Sequence, residues 1–243
     1  MIERKGEYGV DAPYVPLMMG LGALALLLGS GLRGAQGNFG ALLSMGVSGL
    51  FLAGCAASYV YTTRAGKFRA RDAVLESLAL TGDEAVLDVG CGRGAVLLLA
   101  AQRLVRGRAT GIDLWQAKDQ SGNGADATRK NAEVEGVSDR VDIQTADMCE
   151  LPFPDGIFDV VVSSLAIHNV PTSARRSLAI REAARVLKPG GRVVLADFRF
   201  TTEYAVDLER CGLRDVEHRS LGPRFWYGGP WASTRLVSAR KPT

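Results

Sequence analysis

Between Asp11 and Arg64 the chain carries a single charged side chain, Arg33, whereas beyond Arg64 charge is dense and evenly interspersed. A stretch so poor in charge cannot cover the outside of a water-soluble domain, so it has to be buried in protein or in lipid. Arg33 divides it into two apolar segments, 12–32 and 34–63. Each is long enough to cross roughly 30 Å of hydrocarbon as a helix rising 1.5 Å per residue. Between them Arg33-Gly-Ala-Gln-Gly-Asn38 supplies a charge, glycines and amides suited to a tight polar turn. The pattern predicts a helical hairpin with spans at about 14–32 and 39–62.

Small residues recur one helical turn apart at Gly49, Ala53 and Ala57, and at Ala25 and Gly29, which lets helices approach closely in lipid. Tyr14, Tyr59 and Tyr61 fall near the ends of the spans, where amphipathic rings are favoured. Arg4 and Lys5 precede the first span and Arg64, Lys67, Arg69 and Arg71 follow the second, against the lone Arg33 in the turn, so both ends are expected on the cytoplasmic side. Two other readings compete. A cleaved signal peptide fits poorly, because Glu3, Glu7 and Asp11 mix with the basic residues and a second span follows at once. A buried hairpin of a soluble protein remains open. The lipoprotein-like run Leu52-Ala-Gly-Cys55 lies too deep in the chain, behind another span, to be a cleavage box. The expected division is a cytoplasmic segment 1–12, a transmembrane hairpin 13–63 and a globular domain 64–243.

Composition limits what that domain can do. A net charge of +3 over 243 residues, without a long basic run, gives no footprint for nucleic acid. Cys55, Cys91, Cys149 and Cys211 are far apart and form no CxxC pair, so neither a metal site nor a disulfide framework is expected. They suit reduced thiols in an intracellular domain.

After Arg64, strand-like and helix-like segments alternate. Strands are expected at about 85–89, 109–114, 141–145, 158–163 and 192–197, with helices at about 68–80, 95–104, 125–135 and 174–187, the last ended by Lys188-Pro-Gly-Gly191. That alternation implies a doubly wound parallel sheet whose ligands bind beyond the carboxyl ends of its strands. The ending differs. After a helix near 204–211, strands at about 215–220 and 234–239 are separated only by a loop, which makes an antiparallel terminal hairpin. If the first of these runs parallel to the rest, the loop Leu221-Gly-Pro-Arg-Phe-Trp-Tyr-Gly-Gly-Pro-Trp-Ala-Ser233 emerges at the ligand edge. Its aromatic, glycine-hinged sequence fits a substrate lid, a membrane-dipping element or a hydrophobic loop packed over the sheet edge.

Val86-Leu-Asp-Val-Gly-Cys-Gly-Arg-Gly94 runs from a strand into a glycine loop that opens a helix, where backbone can approach an anionic ligand closely. Alone it is ambiguous, since Gly90, Gly92 and Ala95 also fit a dinucleotide fingerprint. The order of the later motifs is more specific: Asp113 ends the second strand, Asp147 follows the third and leads into Glu150-Leu-Pro-Phe153, Phe158-Asp-Val-Val-Val162 forms the fourth, and Leu187-Lys-Pro-Gly-Gly-Arg192 enters the fifth. In this combination the chain resembles the class I S-adenosylmethionine-dependent methyltransferases, especially the small-molecule branch containing the ubiquinone and menaquinone C-methyltransferases. The resemblance covers about residue 73 to the C-terminus.

The resemblance implies an α/β fold with a doubly wound, seven-stranded Rossmann-like sheet ending in an antiparallel hairpin, here preceded by two transmembrane helices. It also implies S-adenosyl-L-methionine as cofactor, held by Asp88, Gly90, Cys91, Gly92, Gly94, Asp113, Leu114, Asp147, Met148 and Ser163. Asp88 and the backbone of Gly90 and Gly92 would take the amino-carboxypropyl end, Asp113 both ribose hydroxyls, and Asp147 the adenine amino group with Met148 beside the ring. Trp115 is placed either to stack near the adenosine or simply to pack. His168, in Ser163-Ser-Leu-Ala-Ile-His-Asn-Val170, lies where the family puts acceptor-side groups. It is the candidate base, against the alternative of a histidine that only packs beneath the cofactor. The chain has no Asn-Pro-Pro-Tyr-like segment of the nucleic-acid base methylases and no cysteine cluster of the arsenite enzymes.

The expected function is therefore methyl transfer to a small, lipophilic or membrane-associated acceptor by an integral membrane enzyme whose catalytic domain faces the cytoplasm. A soluble acceptor, or a non-catalytic membrane-anchored module that only binds the cofactor, remain the alternatives.

Overall fold

The computed structural model describes residues 4–9, 11–116 and 122–243, so of the expected segment 1–12, residues 1–3 and 10 lie outside the described residues. The chain forms two compact units. One comprises Met1–Gly9, Phe68–Leu221 and Thr234–Thr243, and the other Val10–Lys67 together with Gly222–Ser233.

The second unit is built on an antiparallel helical hairpin, α1 (Tyr14–Ala35) and α2 (Phe39–Tyr61). Gly37, with φ +77°, makes the turn, and Asn38 caps α2 by accepting a hydrogen bond from Ala41 N at 3.0 Å. The helices meet closely where glycine permits: a Cβ on Gly49 would lie 2.8 Å from Leu27 Cγ and one on Gly29 2.4 Å from Met45 Cε. Ser30, buried in that seam, donates to the Leu42 carbonyl at 2.6 Å. The buried stripe is Ala23 and Ser30 against Gly49, Cys55 and Tyr59, while Ala25 and Ala57 of the expected small-residue rows face outward. Leu17, Leu21, Leu28, Leu43, Leu50 and Phe51 are all more than half exposed. Both helices are long and apolar enough to cross a membrane. After α2 the chain stays helical through a π turn, Thr62–Gly66, into α3 (Lys67–Ser77). Insertion of an extra backbone residue there re-aims the face of the helix.

The first unit contains the seven-stranded sheet that the resemblance implies, with its strands in the order β3-β2-β1-β4-β5-β7-β6. The strands are β1 (Ala85–Val89), β2 (Arg108–Asp113), β3 (Val141–Thr145), β4 (Phe158–Ser164), β5 (Leu187–Asp197), β6 (Arg214–Ser220) and β7 (Arg235–Arg240). β1 to β5 are parallel, and β7 runs antiparallel between β5 and β6, so β6 ends on the same edge as β1, β4 and β5. This is the Rossmann-like methyltransferase sheet.

Helices α4 (Leu97–Ala101), α5 (Ala125–Glu135), α6 (Ser173–Val186) and α7 (Thr201–Arg210) complete the unit. α3, α4 and α5 pack on one face against Val86, Val160, Val162, Val194 and Leu236. α6 and α7 pack on the other against Leu87, Ile112, Val161, Val193 and Val237. Burial on both faces explains why the central strands read as continuous apolar runs. The stretch Lys188–Gly191 does not simply follow the helix: Leu187 already pairs with Phe158, and pairing resumes at Arg192 opposite Val160, so the Pro-Gly-Gly segment bulges from the ladder.

Residues 4–9 are not a free tail. Lys5 N and Gly6 N donate to Glu135 Oε1 on α5 at 3.0 and 2.9 Å, and the Tyr8 hydroxyl donates to the same oxygen at 2.8 Å. Arg4 stacks over Phe68 at 4.2 Å, and burial brings its guanidinium down to about 10. The basic flanks are thus only partly available to a lipid surface. Arg4, Lys67 and Arg71 are drawn into packing and ion pairing, while Lys5, Arg64 and Arg69 stay at the surface or close to it.

Candidate active site

β1 delivers Asp88 at its carboxyl end, 1% exposed. Burial pushes its carboxyl up to about 7 despite the pull of Arg71, and Oδ2 has no hydrogen-bond partner among the described residues. A buried acid left half satisfied is costly unless a cationic or donor group completes it. Next comes the glycine loop. Gly90, at φ +76°, and Cys91 both donate to the Ile112 carbonyl, at 2.9 and 3.0 Å, which folds the loop onto the end of β2. A Cβ on Gly90 would lie 2.2 Å from Ala166 Cβ, so the loop and the segment after β4 come within a distance only glycine allows.

Asp113 closes the next side. Its Oδ2 accepts from Gly92 N at 2.9 Å and its Oδ1 from Trp115 N at 2.6 Å and Asn123 Nδ2 at 3.5 Å, so the carboxylate fixes both loops and keeps open acceptor capacity on Oδ2. α5 holds the glycine loop from behind: Thr128 Oγ1 donates to Gly92 O at 2.7 Å, and Asn131 Nδ2 to Arg93 O at 2.9 Å. The same Asn131 amide nitrogen donates to Glu7 O at 2.9 Å, tying residues 4–9 to the loop. Leu114 is about half exposed beyond Asp113. Met148 approaches the Gly90 position to 3.6 Å through its Cε.

Other residues expected at the site have different tasks. The Ser163 hydroxyl is buried and donates to Val89 O at 2.7 Å, stitching β4 to β1. Cys91 points its thiol into the core beneath Gly111, where burial raises it well above the ordinary thiol value, so only its backbone faces the loop. Gly94, at φ +85°, is packed against Leu98 and Thr128. Asp147 accepts from Cys149 N at 2.8 Å and from Arg175 Nη2 at 2.6 Å, which hold its carboxyl below the ordinary range.

His168 sits in a 3₁₀ turn, Ile167–Asn169, just past β4. Its Nδ1 is 2.8 Å from Asp197 Oδ1, and its backbone N donates to Asp197 Oδ2 at 3.1 Å. The ring contact is close in distance but off the line of an aligned N–H···O bond. Asp197 is 2% exposed at the end of β5 and also accepts from Phe198 N at 2.9 Å and from the Tyr204 hydroxyl at 3.3 Å. The Phe198 ring packs on the imidazole at 4.6 Å between centroids.

Two residues of this site, Asp197 and Arg71, are not among those expected from the sequence. Asp197 carried a usable signal, since it ends the strand next to the one preceding His168. Arg71 did not, because it counts among the flanking charges of the hairpin. Its Nε donates to Ser164 Oγ at 3.0 Å, and its charge acts on Asp88. Beside it is a small apolar cavity, with room for about one water molecule, walled by Val74 and Leu75 of α3, Val162 of β4, Val194 and Ala196 of β5, and Leu236 of β7.

Residues 87–195 match the family model described as a methyltransferase domain. It is 37% identical over 132 residues to the 27-O-demethylrifamycin SV methyltransferase of Amycolatopsis mediterranei, a match covering 54% of this chain and 44% of that protein. It is 36% identical over 128 residues to the ubiquinone/menaquinone biosynthesis C-methyltransferase UbiE of Roseobacter denitrificans, covering 53% and 48%. The matched stretch is thus less than half the length of these relatives. Among solved structures, the [4+2]-cyclase SpnF superposes with a TM-score of 0.60 at 24% identity, over 72% of this chain and 81% of that one, a likeness of fold.

Proposed function

We propose that the chain is an S-adenosylmethionine-dependent methyltransferase, held in the membrane by α1 and α2 with its methyltransferase unit on the cytoplasmic side, and that it methylates a small lipophilic acceptor. The observation that carries the cofactor assignment is Asp88: a buried carboxylate with one unpartnered oxygen, beside a glycine loop that has no room for a side chain, fits the ammonium group of an amino-carboxypropyl tail. Asp113 offers Oδ2 to one ribose hydroxyl and, where the 3.5 Å contact of Asn123 gives way, Oδ1 to the other, and Asp147 keeps acceptor capacity beside Arg175. The backbone of Gly90, Cys91 and Gly92 lines the loop between them, Gly94 gives it room against α4 and α5, and Leu114 and Met148 supply apolar contact for the adenosine. Ser163 supports the floor through its bond to Val89.

When bound, the cofactor supplies a methyl group on a sulfonium, open to in-line displacement. The chain's own residues then align the acceptor, exclude water and accept a proton. Asp197 turns His168 so that Nε2, the nitrogen facing away from it, receives the acceptor's proton as the new bond to the methyl carbon forms, and the buried carboxylate stabilises the imidazolium produced. An acceptor with a hydrocarbon part suits the proposed membrane anchoring of α1 and α2. The relatives named for a quinone pathway and for a rifamycin lend support to an acceptor of that kind.

A second reading has an observation in its favour, because the superposable SpnF is named a cyclase. On that reading the domain binds the cofactor without transferring its methyl group. Incubating the full-length protein in lipid vesicles with methyl-labelled cofactor and either a membrane lipid extract or a soluble metabolite extract separates the possibilities. Label in a lipid-extract product is expected. Label only with soluble metabolites overturns the acceptor class, and binding without label from either extract favours the second reading.

A further inference from the structure

The loop Gly222–Ser233 joins β6 to β7 in sequence, yet it belongs to the unit built on the hairpin. It lies along one stripe of α2 and its π turn. Trp226 O accepts from Thr62 Oγ1 at 2.6 Å and Ser58 Oγ at 3.4 Å. The Cβ position of Gly228 is 3.7 Å from Cys55 O and 3.4 Å from Met19 Cε of α1. The Trp231 ring packs on Phe51 at 5.6 Å between centroids. Positions 51, 55, 58 and 62 follow one face of a helix and extend about 16 Å along its axis. The loop therefore descends beside the helix, starting near Arg64 and reaching its deepest contact at Phe51.

At the upper end a buried polar knot fastens it. Tyr227 donates its hydroxyl to Asp11 Oδ2 at 2.8 Å, the same oxygen that Lys67 Nζ meets at 2.7 Å, and Lys67 is 1% exposed. Towards the tip, polarity disappears. Arg224 is the loop's single charged residue, and its carbonyl abuts Gly66, above the stripe. Trp231 and Phe51 are 63% and 60% exposed, a paired aromatic surface. Part of the backbone satisfies itself, as hydrocarbon demands of a non-helical segment. Tyr227 N donates to Ala232 O and Ala232 N to Gly229 O, at 3.0 and 3.1 Å, while Pro223 and Pro230 have no N–H to satisfy.

We infer that Gly222–Ser233 is a re-entrant membrane element, with the Trp231 tip inserted among lipid acyl chains beside α2. The inference rests on the proposed membrane anchoring of the hairpin and adds a third embedded segment to it. With Thr62 near the headgroups, a descent of about 16 Å reaches roughly half the thickness of a 30 Å hydrocarbon layer.

The chain has three tryptophans, Trp115, Trp226 and Trp231, so depth can be read by fluorescence. The full chain is reconstituted into phosphatidylcholine–phosphatidylglycerol vesicles, with and without lipids brominated midway along their acyl chains, and compared with Trp231→Phe and with Trp115→Phe/Trp226→Phe. Vesicle flotation reports the anchoring separately. The double variant, whose only tryptophan is Trp231, should lose most of its emission to brominated lipid and little to aqueous iodide. Trp231→Phe should remove the bromine-sensitive part of the full chain's signal. A chain that floats with the vesicles while its Trp231 emission is quenched by iodide and spared by bromine overturns the re-entrant loop and leaves the anchor standing. A chain that does not float overturns both.

Discussion

Replacing Asp88 by Asn tests the ligand site through a property that has nothing to do with turnover. In the ligand-free protein the carboxyl is raised from an ordinary 3.8 to about 7, chiefly by burial. At about 1.4 kcal/mol per tenfold change in ionisation, carrying the charged form costs the folded chain about 4 kcal/mol above pH 7. The unfolded chain gives up this proton near pH 4 and the folded chain only near pH 7, so stability falls as pH rises through that interval and is level beyond it.

The amide introduced by Asp88→Asn cannot ionise, so the variant should show no such fall. At pH 8 the ligand-free variant gains about 4 kcal/mol and loses about 1–3 kcal/mol for an imperfectly bonded buried amide, a net gain of about 1–3 kcal/mol. That corresponds to a melting temperature higher by about 2–12 °C for a domain of this size. Circular dichroism melts in detergent micelles, stepped from pH 4 to about pH 8, measure it. S-adenosylhomocysteine, whose ammonium would pair with Asp88, should bind the parent about tenfold more tightly per pH unit up to pH 7 and should bind the variant weakly throughout. Parallel melting profiles for the two proteins would refute the account of Asp88 as a strained acid awaiting a cation.

His168→Gln and Asp197→Asn should each lower methyl transfer by about 10²–10⁴-fold while leaving the Kd for S-adenosylhomocysteine unchanged, as read by labelled transfer and calorimetry. A parallel loss of binding would mean the pair only supports the fold. Gly90→Ala puts a Cβ 2.2 Å from Ala166 Cβ at a φ of +76°, and should cost about 1–3 kcal/mol in thermal unfolding together with loss of cofactor binding. Tyr8→Phe removes the 2.8 Å bond to Glu135 and should lower stability by about 1–3 kcal/mol without changing membrane association, as read by thermal melts and vesicle flotation.

The sheet was legible because its strands carry their burial in their own sequence. Ala85–Val89 and Phe158–Ser164 are apolar on both faces, and the glycines and acids at their ends mark where ligands meet backbone. Asp88, Asp113 and His168 were candidates because the resemblance carried roles onto those positions. The features that stayed hidden depend on contacts between residues distant in sequence. Arg71 lies in a run of basic residues that reads as a membrane flank, and only the packing of α3 beside β4 brings it to Ser164 and Asp88. The Ser163 hydroxyl and Cys91 thiol have reactive chemistry of their own but are spent on the sheet and the core. The aromatic loop left three readings open, since nothing in its own sequence says that Thr62, Cys55 and Phe51 form the stripe it follows.

The bonds between residues 5–8 and α5 bear on how the chain can be threaded through a bilayer. Gly6 and Tyr8 precede α1 and Glu135 lies beyond α2, so the hydrogen bonds among them close a ring of chain that contains the whole hairpin. A ring closed on one side of a membrane permits only an even number of crossings. On the proposed anchoring, hydrogen bonds to one glutamate would then constrain the parity independently of the basic residues at the flanks. If α1 and α2 do cross a bilayer, as proposed, the first unit completes its own surface only after the hairpin has returned to the side from which it entered, since that glutamate follows both apolar helices in the chain.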